Sequence, residues 1–243
     1  MGKFREKREV ALPRWISSFR NGYPCRILDN HFGSFNWSCS LSFDDGEEWL
    51  VRFAVPGKVM DGDAKVVREV ATMQLIREKT NIPVPAIHGW GQSKDNSLGL
   101  GPFIIMNFIR GESLGKLWQE ELEGMDVLKS DICERDLQTV YRQIAGFLLD
   151  LSRLEFPQAG SLSSKGNDII ANLGPLTLKM QEIEAHGGVK VGGIIHSSIS
   201  CLLLYADFGF RLSFKNIFLR NGVLPLCRGA RHPAPTRTAQ LYR

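Results

Sequence analysis

The first part of the chain alternates hydrophobic and polar positions in a way that is typical of paired β-strands. Three such runs lie within residues 24–55, and their sequences are PCRILDN, HFGSFNWSCSLSF and EWLVRFAV. The dipeptide Asp45-Gly46 separates the second run from the third, and this dipeptide between two strand-like runs is a strong hairpin signal. The pattern therefore predicts three antiparallel strands.

After Pro56-Gly57 the apolar spacing changes from two residues to three and four. This spacing continues from Asp63 to Lys79 and predicts an amphipathic helix. The segment NIPVP, residues 81–85, ends the helix because proline cannot continue it and disfavours helical geometry in the residue before it. Two further strands are predicted over AIHGWGQ and PFIIMNFI, so five strands enclose one helix.

Mostly helical sequence follows the fifth strand. Ser113 is a predicted N-cap for a short helix over residues 114–122, and a longer amphipathic helix is predicted from Glu134 to Leu154. This order of elements predicts an α+β, protein-kinase-like two-lobed fold, with a five-stranded antiparallel first lobe that contains one helix and a mostly helical, incomplete second lobe. The expected divisions are an N-terminal extension (1–22), a nucleotide-binding first lobe (23–106), a hinge (107–113), a partial helical second lobe (114–221) and a basic disordered tail (222–243).

Composition restricts the partners and the location. The net charge is +4, and the basic residues are scattered along the chain, so no specific nucleic-acid partner is expected. The five cysteines are widely spaced and lack metal-ligand spacing, which indicates free thiols. The N-terminal sequence is charged, unlike a secretory signal, and no apolar run reaches the roughly 18 residues of a membrane span. These features predict a cytoplasmic protein without a membrane partner.

Three positions in the first lobe match the requirements of nucleotide binding in a kinase-like fold. A glycine turn between the first two strands lets backbone N–H groups approach phosphates, a basic residue on the third strand pairs with the phosphates, and a helical Glu holds that basic residue. The candidates are Gly33, with Ser34 and Asn36 beside it, Arg52 and Glu69. Taken alone, each is more often an ordinary turn, a solvated strand edge or a solvated helix face. Their order on these elements favours a nucleotide site.

Several longer segments resemble one known family. GSFNWSCSLSFDDGEEWLVRF, REVATMQLIREKTNIPVPAIHGWG and GPFIIMNFIRGESL, with segments 156–162 and 174–188, are similar to the aminoglycoside phosphotransferase-like family, particularly its fungal branch. The resemblance implies ATP and Mg²⁺ as cofactors and phosphoryl transfer to the hydroxyl of a small molecule. The implied partners are therefore a nucleotide and an unidentified acceptor. The resemblance also implies that Met106, Asn107 and Phe108 contact the adenine base.

The catalytic loop departs from the pattern of that family, which has an Asp and an Asn five residues apart and a second metal-binding Asp after them. The candidates here, catalytic Asp207 and metal-binding Asn216, are nine residues apart, and Arg211 lies five before Asn216. The string Asp207-Phe208-Gly209 precedes the Asn, whereas the corresponding kinase motif follows it. From Phe208 to Arg243 the sequence has no Asp or Glu. The hard anionic ligand that a second Mg²⁺ contact requires therefore has no candidate there.

Three interpretations of residues 197–218 stay open: the start of a helix that precedes the loop in the family, a degraded loop, or a working long loop built on Asp207. On the first two, the protein belongs to a phosphotransferase family but lacks a complete active site. The alternatives are a non-catalytic nucleotide-binding pseudokinase or interaction module, and a fragment without independent function. The segment 222–243 lacks apolar periodicity, which predicts disorder, and its abrupt change in composition suggests truncation or an altered reading.

Overall fold

An antiparallel sheet of five strands dominates the computed structural model, which describes residues 10–112, 114–156, 160–165, 168–172 and 186–187. The strands lie side by side in the order β1-β2-β3-β5-β4, and every neighbouring pair is antiparallel. Their bounds are β1 Cys25–Phe32, β2 Asn36–Phe43, β3 Glu48–Ala54, β4 Ile87–Gly91 and β5 Phe103–Asn107. The α+β class and the five predicted strands are confirmed.

The turn between β2 and β3 confirms the hairpin that Asp45-Gly46 predicts. The backbone N–H of Phe43 donates to the carbonyl of Glu47 across the turn, at 2.8 Å. Gly46 has φ +87°, a left-handed conformation that side chains with a Cβ disfavour. This turn fixes the register in which Ser38 lies opposite Arg52 and Ser40 opposite Leu50.

One face of the sheet carries the main hydrophobic core and is covered by a helix, α1 (Leu12–Ser18). Leu12 and Ile16 are fully buried, and the ring of Trp15 packs edge-on against Phe103 with 4.7 Å between ring centroids. The apolar spacing does not predict α1, which lies in the range 1–22 that we expected to be an extension. The helix is only seven residues long, and its buried residues form a single i,i+4 pair.

The opposite face of the sheet packs on α2 (Gly62–Lys79), the helix predicted between β3 and β4. Asp61 caps this helix, because its carboxylate accepts the backbone N–H of Ala64 at 2.8 Å. Val66 and Val70, in the first half of α2, pack against Ile104 and Met106 of β5, and all four side chains are buried. The sheet is thus sandwiched between α1 and α2.

The chain after β5 forms shorter helices and strands, and four of these strands pair into two hairpins that the sequence did not predict. The bounds are α3 Leu114–Trp118, β6 Gln119–Leu122, β7 Met125–Leu128, α4 Glu134–Ser152, β8 Ser161–Lys165 and β9 Asp168–Asn172. The helix predicted over 114–122 is wrong beyond Trp118, because Glu123 and Gly124 adopt φ +53° and +77° and turn the chain back into β7. Ser113, its predicted N-cap, lies outside the described residues.

The long helix α4 confirms the amphipathic pattern from Glu134 onward. Its buried Leu151 packs with Ile76 of α2 and with Ile82 of the proline-containing segment. No helix of the described residues is long and apolar enough to span a membrane. The range 222–243, which we expected to be a disordered tail, lies outside the described residues, as does most of the expected second lobe after residue 172.

Candidate functional site

Arg52 and Glu69 form a buried ion pair between the sheet and α2. Arg52 lies in the middle of β3, opposite Ser38 on one side and Ile104 on the other, so its side chain projects from the face that packs on α2. Its Nη2 atom lies 2.6 Å from Oε2 of Glu69, and the two side chains are 8% and 12% exposed. The sequence order of these two residues predicts this contact, and the structure contains it.

A second cation, Lys65, lies in the same site and was not predicted from the sequence. Its Nζ atom lies 2.5 Å from Oε1 of Glu69 and 3.1 Å from Oδ1 of Asn36. Lys65 precedes Glu69 by four residues, so both side chains lie on one face of α2. That spacing was the available signal, but it equally describes the exposed i,i+4 pairs found on most helices.

Burial and the neighbouring charges both shift the pKa values of Glu69 and Lys65. Burial alone would raise the pKa of Glu69, but the positive charges of Arg52 and Lys65 outweigh it and hold the pKa below its usual range. The pKa of Lys65 is lowered, first by burial and then by the charge of Arg52, against the opposing attraction of Glu69. Two cations therefore share one carboxylate at this site, and the cluster has a formal charge of +1 when all three groups are ionised.

The glycine turn lies beside this cluster. The N–H of Gly33 donates to the carbonyl of Asn36 at 2.8 Å, and the carbonyl of Phe35 accepts the N–H of Val55 at 3.0 Å. Gly33 and Ser34 are exposed at the tip of the turn, while the side chain of Asn36 reaches inward to Lys65. The turn and the cation cluster are thus joined by a direct hydrogen bond.

A polar strip extends from the turn along the sheet. Ser38 and Ser40 are both buried on the face that carries Arg52, since they lie opposite Arg52 and Leu50. The hydroxyl of Ser40 donates to the carbonyl of Asp29 at 3.4 Å and lies 3.5 Å from Nε2 of His31. Small polar side chains therefore line this part of the face.

The three residues expected at a nucleotide base lie at the end of β5. Met106 is buried opposite Leu50. The side-chain oxygen of Asn107 accepts a hydrogen bond from the N–H of Ala86 at 3.1 Å, which joins the residue before β4 to the end of β5. The ring of Phe108 stacks on His31 of β1 with 6.1 Å between centroids. His31 was not singled out from the sequence.

The residues predicted to perform catalysis and to bind metal belong to the last part of the sequence. Asp207 and Asn216 both lie outside the described residues. Within the described residues, no group of three or more His, Cys, Asp or Glu side chains could hold a metal ion. The assignments of Asp207 and Asn216 therefore stay predictions.

Comparison with known proteins gives fungal relatives. The chain is 31% identical over 159 residues to the altered inheritance of mitochondria protein 9, mitochondrial, of Lodderomyces elongisporus, a match that covers 64% of this chain and 22% of the relative. The corresponding protein of Debaryomyces hansenii is 32% identical over 56% of this chain and 21% of its own. A subtelomeric hrmA-associated cluster protein of Aspergillus fumigatus is 29% identical over 55% of this chain and 24% of its own. The chain thus matches about a fifth of the length of these relatives.

The comparison with family models gives no match. Among solved structures, a macrolide 2'-phosphotransferase type I has 14% sequence identity and a TM-score of 0.39, over 61% of this chain and 44% of that chain.

The relatives correct one prediction from the sequence. We expected a cytoplasmic location from the charged N-terminal sequence and the free thiols, but relatives from Lodderomyces elongisporus, Debaryomyces hansenii and Candida dubliniensis are all named mitochondrial proteins. The cytoplasmic prediction is therefore wrong. Its physical basis was weak, because a charged start argues only against secretion, and reduced thiols do not distinguish one internal compartment from another.

Proposed function

We propose that the sheet and α2 bind a nucleoside triphosphate in the manner of a kinase-like first lobe, and that this chain does so without completing phosphoryl transfer. The observation that carries the proposal is the ion pair of Arg52 with Glu69, 2.6 Å long, on the face of the sheet that adjoins the glycine turn. A basic residue held by a helical Glu beside a glycine turn is the arrangement that positions α- and β-phosphates in such folds.

The surrounding groups support a nucleotide that is oriented with its phosphates near Arg52. Arg52 uses one of its N–H donors on Glu69, and no other side chain of the described residues accepts from it, so further donors remain for phosphate oxygens. Gly33 and Ser34 present exposed backbone at the turn. In this arrangement the base lies toward Met106 and Phe108, and the phosphates lie toward Arg52.

The sequence resemblance to the aminoglycoside phosphotransferase-like family implies transfer of the γ-phosphoryl group of ATP, with Mg²⁺, to a hydroxyl of a small molecule. The residues for that step are proposed to be incomplete in this chain. Asp207 is the sole acidic residue after Glu184, and one carboxylate cannot be both the catalytic base and a metal ligand. Nucleotide binding without turnover is therefore the function that its residues support best.

A mitochondrial location accompanies this proposal. It is inferred from the names of the fungal relatives, which share about a third of their aligned positions with this chain. Fractionation of fungal cells that express the chain with a C-terminal epitope tests it directly. Recovery of the tagged chain with the mitochondria is expected, whereas recovery in the soluble fraction outside mitochondria would contradict it.

Thermal unfolding with added nucleotide tests the proposed binding. ATP at 100 times its dissociation constant would stabilise the fold by about 2.7 kcal/mol, which is several degrees in melting temperature. Arg52→Met should abolish that shift, because it removes the guanidinium while Lys65 still balances Glu69. Arg77→Met, which removes an exposed cation from the same helix as Glu69, is the matched control and should keep the shift.

Two results would contradict the proposal. One is a melting temperature of the wild-type chain that does not respond to ATP, ADP or adenosine at millimolar concentration. The other is an equal response in Arg52→Met and the wild type, with circular dichroism showing that the variant is folded. ADP formation by the wild type that depends on an added hydroxyl acceptor would instead establish a working phosphotransferase.

A further inference from the structure

Lys65 is a buried cation that the Arg52–Glu69 pair does not require. Lysine is almost never fully buried unless its charge is compensated, yet Lys65 is 6% exposed. Glu69 is the one carboxylate of the described residues that contacts either cation, and Arg52 already occupies one of its two oxygens. One positive charge at this site is therefore left without a matching negative charge.

A net buried charge is unfavourable in the absence of a counter-ion, because desolvation is not repaid by attraction. The pKa of Lys65 reflects this, since burial and the charge of Arg52 lower it in spite of Glu69. Asn36 gives the ammonium only a neutral amide oxygen, at 3.1 Å. An anionic oxygen at the position of that amide oxygen would add the attraction of opposite charges to the hydrogen bond.

The position of Asn36 indicates where such an anion comes from. Asn36 is the first residue of β2 and follows the exposed turn that contains Gly33 and Ser34. A ligand that approaches the backbone of this turn therefore meets Asn36 before it meets Lys65. Rotation of the Asn36 side chain would then expose the ammonium to the ligand without any change in the ion pair of Arg52.

We propose that Lys65 is a second phosphate-binding cation, which contacts a polyphosphate ligand at the position now held by the side-chain oxygen of Asn36. Lys65 and Arg52 together then bind the phosphates that a single basic residue on the third strand binds in other kinase-like folds. The proposal rests on the nucleotide function proposed above. One carboxylate oxygen of Glu69 then orients Arg52 and the other orients Lys65. The site consequently prefers ligands with two or more phosphates over a bare nucleoside.

Direct binding measurements with ATP, adenosine and inorganic tripolyphosphate test this assignment. Lys65→Met should weaken the affinity for ATP and tripolyphosphate at least tenfold and leave the affinity for adenosine unchanged. Asn36→Asp should have the same effect, because its carboxylate would neutralise Lys65 and compete with the phosphate. Lys79→Met removes an exposed cation from the last turn of α2 and should bind all three ligands like the wild type.

The two variants keep the test decisive if one fails to fold, because Asn36→Asp adds a charge partner to Lys65 and is expected to fold. Wild-type affinity for ATP and tripolyphosphate in either folded variant would overturn the role of Lys65 and leave nucleotide binding intact. Lys65-dependent binding of tripolyphosphate without binding of ATP or adenosine would overturn the nucleotide function and support the anion site. A wild type that binds neither ATP nor tripolyphosphate would overturn both.

Discussion

Arg52 and Glu69 are 17 residues apart in the sequence, yet Nη2 of Arg52 lies 2.6 Å from Oε2 of Glu69 in the interface between the sheet and α2. The contact joins the middle of β3 to the middle of a helix that otherwise packs on the sheet through apolar side chains and the hydrogen bond of Lys65 with Asn36. A charged contact within an apolar interface tolerates few alternative arrangements, because any shift that separates the two charges leaves both desolvated. The pair therefore fixes how α2 lies on the sheet.

Replacing Glu69 by Gln should be strongly destabilising. The amide removes the negative charge that lies between two buried cations, Arg52 and Lys65, and removal of one partner of a buried ion pair typically costs about 3–5 kcal/mol. Urea denaturation of the wild type and of Glu69→Gln measures the difference. Glu78→Gln, at an exposed position of the same helix, is the control and should change stability by less than about 0.5 kcal/mol. A loss below about 1 kcal/mol in Glu69→Gln would contradict this account.

The stabilising effect of Glu69 should depend on pH in acid. Burial would raise the pKa of Glu69, but Arg52 and Lys65 lower it below the unfolded value of 4.5. The unfolded chain therefore binds a proton at a higher pH than the folded protein does, and stability falls as the pH drops through the folded pKa. The difference in free energy of unfolding between the wild type and Glu69→Gln should be constant from pH 7 to about 5 and shrink below the unfolded pKa. A difference that stayed constant down to pH 3 would contradict the lowered pKa.

The described cysteines should differ in their reaction with iodoacetamide. Cys133 is exposed, whereas the pKa of Cys25 is raised to about 11, first by burial and then by the charge of Asp44. At pH 8 only about one Cys25 thiol in a thousand is ionised, and the thiolate is the reactive form. Mass spectrometry of the folded protein should show Cys133 alkylated well before Cys25, with buried Cys39 slowest. Equal rates in the folded protein would contradict this order, and equal rates in urea are the expected control.

Much of the sheet could be predicted from the sequence, because the alternation of apolar and polar residues and the turn residues between the strands both indicate the same hairpins. Residues of β2 alternate between the core on α1 and the polar strip, and Gly46 supplies the left-handed turn that the hairpin needs. The hairpin of β6 and β7 could not be predicted in the same way. Its turn is Glu123-Gly124, and the glutamates before it are good helix formers, so local propensity favoured a longer helix. The cross-strand pairing outweighs that propensity.

Of the ionic contacts in the candidate site, only the one between Arg52 and Glu69 could be predicted from the sequence. The order of Gly33, Arg52 and Glu69 on successive elements indicated which side chains face each other, and Arg52 and Glu69 do meet. Lys65 was missed because a sequence does not show which face of a helix is desolvated. Its partner Asn36 is 29 residues away, so their contact depends on how α2 packs on β2.

Helix α1 should be part of the folded core, although its sequence was assigned to an extension. Ile16 is fully buried against the sheet, so Ile16→Ala should destabilise the protein by about 2–5 kcal/mol through lost burial and the resulting cavity. Val10→Ala is the control, since Val10 is 65% exposed, and should change stability by less than about 0.5 kcal/mol. Urea denaturation followed by tryptophan fluorescence suits the measurement, because Trp15 lies on the same helix. A free energy of unfolding equal to that of the wild type in Ile16→Ala would show that α1 does not pack as described.

The purified chain should bind nucleotide without consuming it. Phosphoryl transfer depends on positioning and on neutralisation of charge by Mg²⁺, so remote contacts cannot replace a missing metal carboxylate. From Phe208 to Arg243 the chain has seven Lys and Arg and no Asp or Glu, which leaves Asp207 alone near the expected loop. We therefore expect no Mg²⁺-dependent ADP formation with aminoglycosides or simple alcohols.

Asp207→Asn separates the remaining interpretations of that segment. If Asp207 takes no part in catalysis, the variant should match the wild type both in ATP-dependent thermal stabilisation and in its lack of ADP formation. If Asp207 is the base of an unusually long loop that ends at Asn216, the wild type should instead form ADP in an acceptor-dependent way. That activity should disappear in Asp207→Asn while ATP binding, which depends on Arg52, is retained. Such a result would replace binding without turnover by a complete phosphotransferase.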